Sequence, residues 1–108
     1  MTKLQSVTAE TLSIWLDNDQ AILIDVREDF EYKESHIKKA INVPLSELLT
    51  KIYEINGIKT KKIVLQCRIG RRSVTAYYLL KDDHFEGDIW NLEGGIDAWG
   101  KCGLPLIS

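Results

Sequence analysis

Cysteine is scarce in this chain. The 108 residues include two cysteines, Cys67 and Cys102, which are too few for a disulfide framework or for a four-cysteine metal site. Proline is as rare, with two residues, and no proline-rich or glycine-rich linker divides the chain. We therefore expect one domain over residues 1–108, stabilised by an ordinary apolar core rather than by metal or disulfide cross-links.

Long apolar runs and a one-sided charge are also missing. No window approaches transmembrane length, and residues 1–10 lack the apolar core of a secretory signal. The 14 basic and 16 acidic side chains leave a net charge of -2. These absences argue against a membrane or a nucleic acid as partner. We expect a cytoplasmic protein, where thiols stay reduced, and a monomer or weak dimer.

Apolar runs alternate with helical spacings along the chain, which is the pattern of an α/β domain. Continuous apolar runs are typical of buried parallel strands. Strands are predicted at residues 4–7, 21–26, 40–43, 62–66 and 88–92. Helices are predicted at residues 8–16 with Thr8 as N-cap, as one turn in 28–34, at 46–53, from 72 or 73 onward, and from 95 to 99. The sequence thus predicts about five mostly parallel strands with helices on both faces.

The strongest candidate for chemistry is Cys67, which directly follows a predicted strand. Residues beyond the carboxyl ends of parallel strands lie where open α/β sheets bind ligands. Gly70 lets the next loop curl so that backbone N–H groups point inward, and the following helix directs its N-terminus at the same place. Arg68, Arg71 and Arg72 add three positive charges. These features favour the thiolate and predict an anion-binding loop.

A cysteine at a strand end is, taken alone, more often a buried and inert residue. Here three arginines follow Cys67 within five residues. Positive charges beside an apolar pocket are costly unless an anion meets them. We therefore interpret Cys67 as a nucleophile rather than as a structural residue.

Three motifs stand in order along the chain. The first combines residues 24–27 (IDVR), 31–32 (EY) and 36–44 (HIKKAINVP). The second is the loop 67–73 (CRIGRRS), and the third joins residues 92–99 (LEGGIDAW) to 103–105 (GLP). Together they resemble the signatures of single-domain rhodanese-like sulfurtransferases, with core motifs across residues 17–106. Ser35 and Lys39 depart from the pattern, since the family has glycine at these turns.

The resemblance implies a rhodanese-like fold and a ping-pong sulfur transfer with no metal or organic cofactor. Cys67 would hold a persulfide, taking sulfur from a small anionic donor such as thiosulfate and giving it to a thiol, cyanide or a protein cysteine. Arg68 and Arg71 would meet the incoming anion, Arg72 would brace the loop, and Ser73 would cap the helix. The substrate-binding residues would be Arg68, Ile69, Gly70, Arg71 and Arg72.

Other functions remain open at this point. The chain could be a binding or relay module that passes persulfide sulfur between proteins. A cysteine phosphatase or arsenate reductase relative is less favoured, because those enzymes place five residues between Cys and Arg, whereas four separate Cys67 from Arg72. The shorter loop resembles one sized for a persulfide sulfur.

Several residues outside the loop are interpreted as structural. We expect an Arg27–Glu31 ion pair, a backbone hydrogen bond from His36, and a solvated face over residues 28–39. Cys102 is expected to be a free thiol, with persulfide resolution or a disulfide as alternatives. Trp90 is expected at the mouth of the active site.

Overall fold

A parallel sheet of five strands forms the centre of the computed structural model, which describes residues 3–108. In chain order the strands are Ser6–Val7 (β1), Ala21–Asp25 (β2), Ile41–Asn42 (β3), Lys62–Gln66 (β4) and Asp88–Leu92 (β5). They lie side by side in the order β1-β5-β4-β2-β3. The predicted fold class is confirmed, and all five strands fall where the sequence predicted them. The two edge strands, β1 and β3, are shorter than expected, with two residues each.

Helices cover both faces of the sheet. They are Ala9–Asp17 (α1), Asp29–Glu34 (α2), Leu48–Lys51 (α3), Arg71–Asp82 (α4) and Gly95–Lys101 (α5). Apolar side chains of α3 and α4 join one buried cluster, and those of α1 and α5 join a second cluster on the opposite face. Within residues 3–108 no helix is both long and apolar enough to cross a membrane.

Burial on two faces explains the continuous apolar run of β2. Side chains alternate between the two faces of a strand. Accordingly Ile22 and Ile24 belong to the cluster with α3 and α4, whereas Ala21 and Leu23 belong to the cluster with α1 and α5. A polar residue at any of these positions would lose its contact with water, so the run is apolar throughout.

The single helix predicted for residues 46–53 is instead broken into three short pieces. A 3₁₀ turn, Leu45–Glu47, precedes α3, and a second, Ile52–Glu54, follows it. The backbone N–H of Glu47 bonds to the carbonyl of Pro44 at 2.8 Å, one residue tighter than in an α-helix. β-Branched and aromatic residues near the end of this segment favour helix weakly, so burial of Leu48 and Ile52 decides its path.

Candidate active site

The sulfur of Cys67 is enclosed by the loop that joins β4 to α4. Cys67 exposes 1% of its surface. Its Sγ accepts a hydrogen bond from the backbone N–H of Gly70 at 3.1 Å and a longer one from the N–H of Ser73 at 3.4 Å. The Ser73 hydroxyl oxygen also lies 3.4 Å from Sγ. Both N–H donors lie at or next to the N-terminus of α4, a twelve-residue helix, so the positive end of the helix dipole is directed at the sulfur.

Gly70 allows the loop to turn into α4. Its φ of 112° lies in the region that residues with a side chain rarely adopt, and Gly70 is the N-cap of the helix. The inward curl predicted from this glycine is confirmed. The backbone N–H groups that bond to Sγ are those of Gly70 and of Ser73, and Ser73 directly follows the predicted substrate-binding residues 68–72.

Ser73 is not the helix cap that the sequence predicted. Since α4 begins at Arg71, Ser73 lies in its first turn, and its hydroxyl bonds to the Gly70 carbonyl at 3.1 Å and to Oδ1 of Asn91 at 2.6 Å. Ser73 and Asn91 are both buried. Sequence reasoning missed Asn91, although a polar residue between the apolar residues Trp90 and Leu92 of β5 was an available signal.

The start of α5 closes the loop from the other side. Backbone N–H groups of Ile96 and Asp97 donate to the carbonyls of Cys67 and Arg68 at 2.9 and 3.0 Å. A Cβ on Gly95 would lie 2.5 Å from the Cys67 carbonyl oxygen and 2.4 Å from that of Arg68. Only glycine permits this approach, so the third sequence motif positions the Cys67 loop, a role that was not predicted for it.

Arg72 pairs with Glu31. Its Nη1 and Nη2 donate to the two carboxylate oxygens at 2.6 and 2.9 Å. These bonds lower the pKa of Glu31 to about 2 and raise the pKa of Arg72. The backbone N–H of Glu28 adds a bond to Glu31 at 2.9 Å. The pair ties α4 to α2, as expected for an arginine that braces the loop.

The predicted Arg27–Glu31 ion pair is wrong. Arg27 donates to the carboxylate of Asp25 at 2.8 Å and to the carbonyl of Ser35 at 2.8 Å. Asp25 is 0% exposed, and a carboxylate without water needs a cation beside it. Residues two apart on an extended chain share a face, which brings Arg27 to Asp25 and leaves Glu31 for Arg72. The predicted solvated face is found for the Asp, Glu and Lys side chains of residues 28–39, which are exposed apart from the half-buried Glu31.

Arg68 and Arg71 are exposed on the loop, as their predicted contact with an anion requires, and Ile69 is exposed as well. The Arg68 side chain is 70% exposed, and its Nε lies 3.8 Å from the Asp97 carboxylate. Ile69 is 54% exposed, and Arg71 is exposed at the first position of α4. Among the described residues, Arg71 has no carboxylate within 4.0 Å.

A cleft of about 620 Å³ lies beside the loop. Residues of α2 and the residue before it form one side of the cleft. The Cys67 loop and the start of α5 form another side, and Leu106 of the C-terminal tail adds an apolar side chain. The charged residues lining it are Arg27, Arg68, Arg72, Glu28, Glu31, Glu34 and Asp97. Four carboxylates thus face three guanidinium groups.

Three residues with predicted roles lie outside the Cys67 loop: His36, Cys102 and Trp90. His36 Nδ1 lies 2.7 Å from the Tyr32 carbonyl, which confirms its backbone bond. Cys102 is a free, exposed thiol, as expected, with its pKa raised by desolvation and by Glu10. Trp90 does not line the cleft. It is the third residue of β5, and its ring packs edge-to-face on that of Trp15, with 5.1 Å between the ring centroids. Within residues 3–108 no cluster of His, Cys, Asp or Glu is arranged to hold a metal ion.

The chain belongs to the rhodanese-like domain family, which matches residues 8–102. A sulfurtransferase from Allochromatium vinosum is 34% identical over 104 residues, with 94% of both chains covered. A rhodanese-related protein from Thermoplasma volcanium superposes with a TM-score of 0.83 at 32% identity and covers 95% of this chain and 97% of its own.

Other relatives are longer than this chain. A thiosulfate sulfurtransferase from Pseudomonas aeruginosa superposes with a TM-score of 0.88 at 26% identity over 96% of this chain, but over 20% of its own length. The chain spans 55% of an uncharacterised protein from Synechocystis, to which it is 36% identical, and 30% of a tRNA uridine(34) hydroxylase from Escherichia fergusonii. It therefore corresponds to one part of those proteins.

Proposed function

We propose that this protein is a sulfurtransferase of the thiosulfate sulfurtransferase type, in which Cys67 carries the transferred sulfur as a persulfide. The observation that carries the proposal is the pair of backbone N–H groups, from Gly70 and Ser73, that donate to Cys67 Sγ. Membership in the rhodanese-like family and the sulfurtransferase relative support the same reaction.

The first half-reaction uses the Cys67 thiolate as nucleophile. It attacks the outer sulfur of thiosulfate, and the bond between the two sulfur atoms of the donor breaks. Sulfite leaves with the electron pair, and the outer sulfur stays on Cys67. In the second half-reaction a thiophilic acceptor (a thiol, cyanide or a protein cysteine) attacks that sulfur, and the electron pair of the broken bond returns to Sγ.

The loop suits the charge of the intermediate. A sulfur added at about 2.05 Å from Sγ carries the negative charge of a persulfide. Backbone N–H groups stabilise such an anion without a bound counter-ion. Because Cys67 is 1% exposed, the added outer sulfur is the atom that an acceptor would meet.

The arginines have separate proposed roles. Arg71, which is exposed and unpaired among the described residues, is the side chain best placed to attract an anionic donor. Arg68 shares that role but is partly neutralised by Asp97 at 3.8 Å. Arg72 supports the loop through Glu31. A reducing compartment such as the cytoplasm would keep Cys67 free for this reaction.

The test is sulfur loading of purified protein. Incubation with thiosulfate should add the mass of one sulfur atom to Cys67, and subsequent cyanide should remove it as thiocyanate. Cys67→Ser should abolish both steps while leaving the fold intact by circular dichroism, and Cys102→Ser should retain them. Turnover that survives in Cys67→Ser would overturn the proposal. A phosphatase-substrate assay in parallel tests the phosphatase alternative.

A further inference from the structure

The charges of the cleft do not favour a small dianion. Each of its three arginines already faces a carboxylate: Arg72 pairs with Glu31, Arg68 lies 3.8 Å from Asp97, and Arg27 pairs with Asp25. Glu28 and Glu34 remain, and among the described residues neither has a cation within 4.0 Å. The cleft beside the candidate nucleophile is therefore left negative.

Apolar side chains lie beside these two carboxylates. Phe30 is 67% exposed on α2 and lines the cleft together with Glu34, four residues later on the same helix. Residues at this spacing are neighbours on a helix surface. Leu106, 41% exposed, lines the cleft from the C-terminal tail. The tail is fixed there by backbone bonds between His36 and Ile107 at 2.7 and 2.9 Å.

The size of the cleft also exceeds what a small inorganic sulfur compound fills. Its volume of about 620 Å³ lies in the range of roughly 300–1,000 Å³ that is typical of sites for larger organic ligands. An exposed phenylalanine in such a site gains stability by being covered with an apolar group.

We propose that the physiological sulfur partner of this site is a segment of another protein in which the reactive cysteine is flanked by lysine or arginine and by an apolar residue. The basic residue would lie against Glu28 and Glu34, and the apolar residue against Phe30 and Leu106. This inference rests on the proposed function, because it specifies which thiol exchanges sulfur with Cys67.

The exchange step is balanced without an added oxidant or reductant. The partner thiolate, its proton released to water, attacks the outer sulfur of the Cys67 persulfide. A new sulfur–sulfur bond forms on the partner as the bond to Sγ breaks, and the electron pair returns to Cys67 as thiolate. The reverse direction uses the same atoms when the partner is the donor.

The experiment uses the whole chain, loaded with sulfur by excess thiosulfate, and two short acceptor peptides. Both peptides have a central cysteine and a single leucine. In the lysine peptide the cysteine is flanked by lysines, and in the glutamate peptide it is flanked by glutamates. Loss of sulfur from Cys67 is followed by mass spectrometry. We expect the lysine peptide to react about tenfold faster because its charges are opposite to those of Glu28 and Glu34, and added salt should reduce the ratio.

Two double variants that remove the same charge distinguish the effect of the cleft carboxylates from the effect of the protein's net charge. Glu28→Gln/Glu34→Gln should lower the ratio between peptides to about twofold and accelerate loading by thiosulfate. Glu54→Gln/Glu86→Gln changes two exposed carboxylates in the segments before β4 and β5, whereas Cys67 follows β4. This control variant should leave the ratio between the two peptides unchanged. A ratio near one in the wild type, or one insensitive to the first double variant, would overturn the inference.

Phe30→Ala tests whether the partner is a polypeptide. It should slow the lysine peptide several-fold more than it slows cysteamine, a small cationic thiol with no apolar residue to place. Equal effects on the two thiols would refute the polypeptide partner. If Cys67 gained no sulfur from thiosulfate, the proposed function would be refuted as well. If Cys67 gained sulfur but passed it equally fast to the lysine and glutamate peptides, this inference alone would be refuted.

Discussion

Arg72 and Glu31 are joined by two hydrogen bonds, 2.6 and 2.9 Å long, across 41 residues of sequence. The pair connects the first turn of α4, which holds the Cys67 loop, to α2, which forms one wall of the cleft. One ion pair therefore links the position of the candidate nucleophile to the surface where its substrate would bind.

Glu31→Gln should destabilise the protein by about 1–2 kcal/mol at pH 7, a value reduced because Arg72 is partly exposed. The folded-state pKa of Glu31 is about 2, below its ordinary value of 4.5. The stabilisation is thus complete above pH 4.5 and is lost as the pH falls toward 2. Urea unfolding at several pH values should show the difference from wild type shrinking in that window.

The exposed Asp29–Lys33 pair provides the control. Its side chains are 65% and 74% exposed, so Asp29→Asn should change the free energy of unfolding by less than about 0.5 kcal/mol. If Glu31→Gln had an equally small effect, or one that did not vary with pH, Arg72 would not brace the loop through Glu31.

Gly95→Ala should destabilise the protein by about 3 kcal/mol or more and disturb the Cys67 loop. The new methyl group would lie 2.4 Å from the Arg68 carbonyl oxygen, on a residue whose φ is +60°. Gly103→Ala has a similar φ of +79° but meets nothing within 4 Å, so it should cost only the backbone term of about 1–2 kcal/mol. Equal losses in thermal or urea unfolding would contradict the close contact.

Lys39→Gly should be more stable than Lys39→Ala by about 1 kcal/mol. Lys39 has a φ of 77°, which costs strain for every residue except glycine. Both substitutions remove the bond from the Lys39 amine to the Leu16 carbonyl at 3.0 Å, so their difference isolates the backbone. Unfolding curves in urea provide the comparison, and a more stable alanine variant would show that the turn is not strained.

Ser73→Ala should cost about 1–3 kcal/mol, because it leaves the Oδ1 of Asn91 buried without its donor. In a double-mutant cycle with Asn91→Ala the two losses should overlap by about 1 kcal/mol or more. Strictly additive losses would show that the 2.6 Å contact contributes nothing. Alkylation of Cys67 in Ser73→Ala measures the effect of the hydroxyl on the sulfur separately.

Most of the fold could be predicted because its signals are local. β2 and β4 are apolar at successive positions, and a strand buried on both faces requires that pattern. The segment at residues 46–53 was predicted less well, since its helical spacing was correct but its hydrogen bonding depends on how Leu48 and Ile52 are buried.

The sequence by itself determined the centre of the site. Cys67 follows a buried strand, Gly70 allows the turn, and α4 begins at once, so the sulfur and the helix N-terminus must meet. These relationships involve neighbours in the chain and follow from backbone geometry.

Only the tertiary structure decided which charges are neutralised. Pairing of Arg72 with Glu31, and of Arg27 with Asp25, depends on how α2 packs beside the loop and on which carboxylate loses its water. From the sequence three arginines indicated a positive loop. In the folded protein two of the three have a carboxylate beside them, and Glu28 and Glu34 leave the adjoining cleft negative, because electrostatic energy depends on distances in space rather than along the chain.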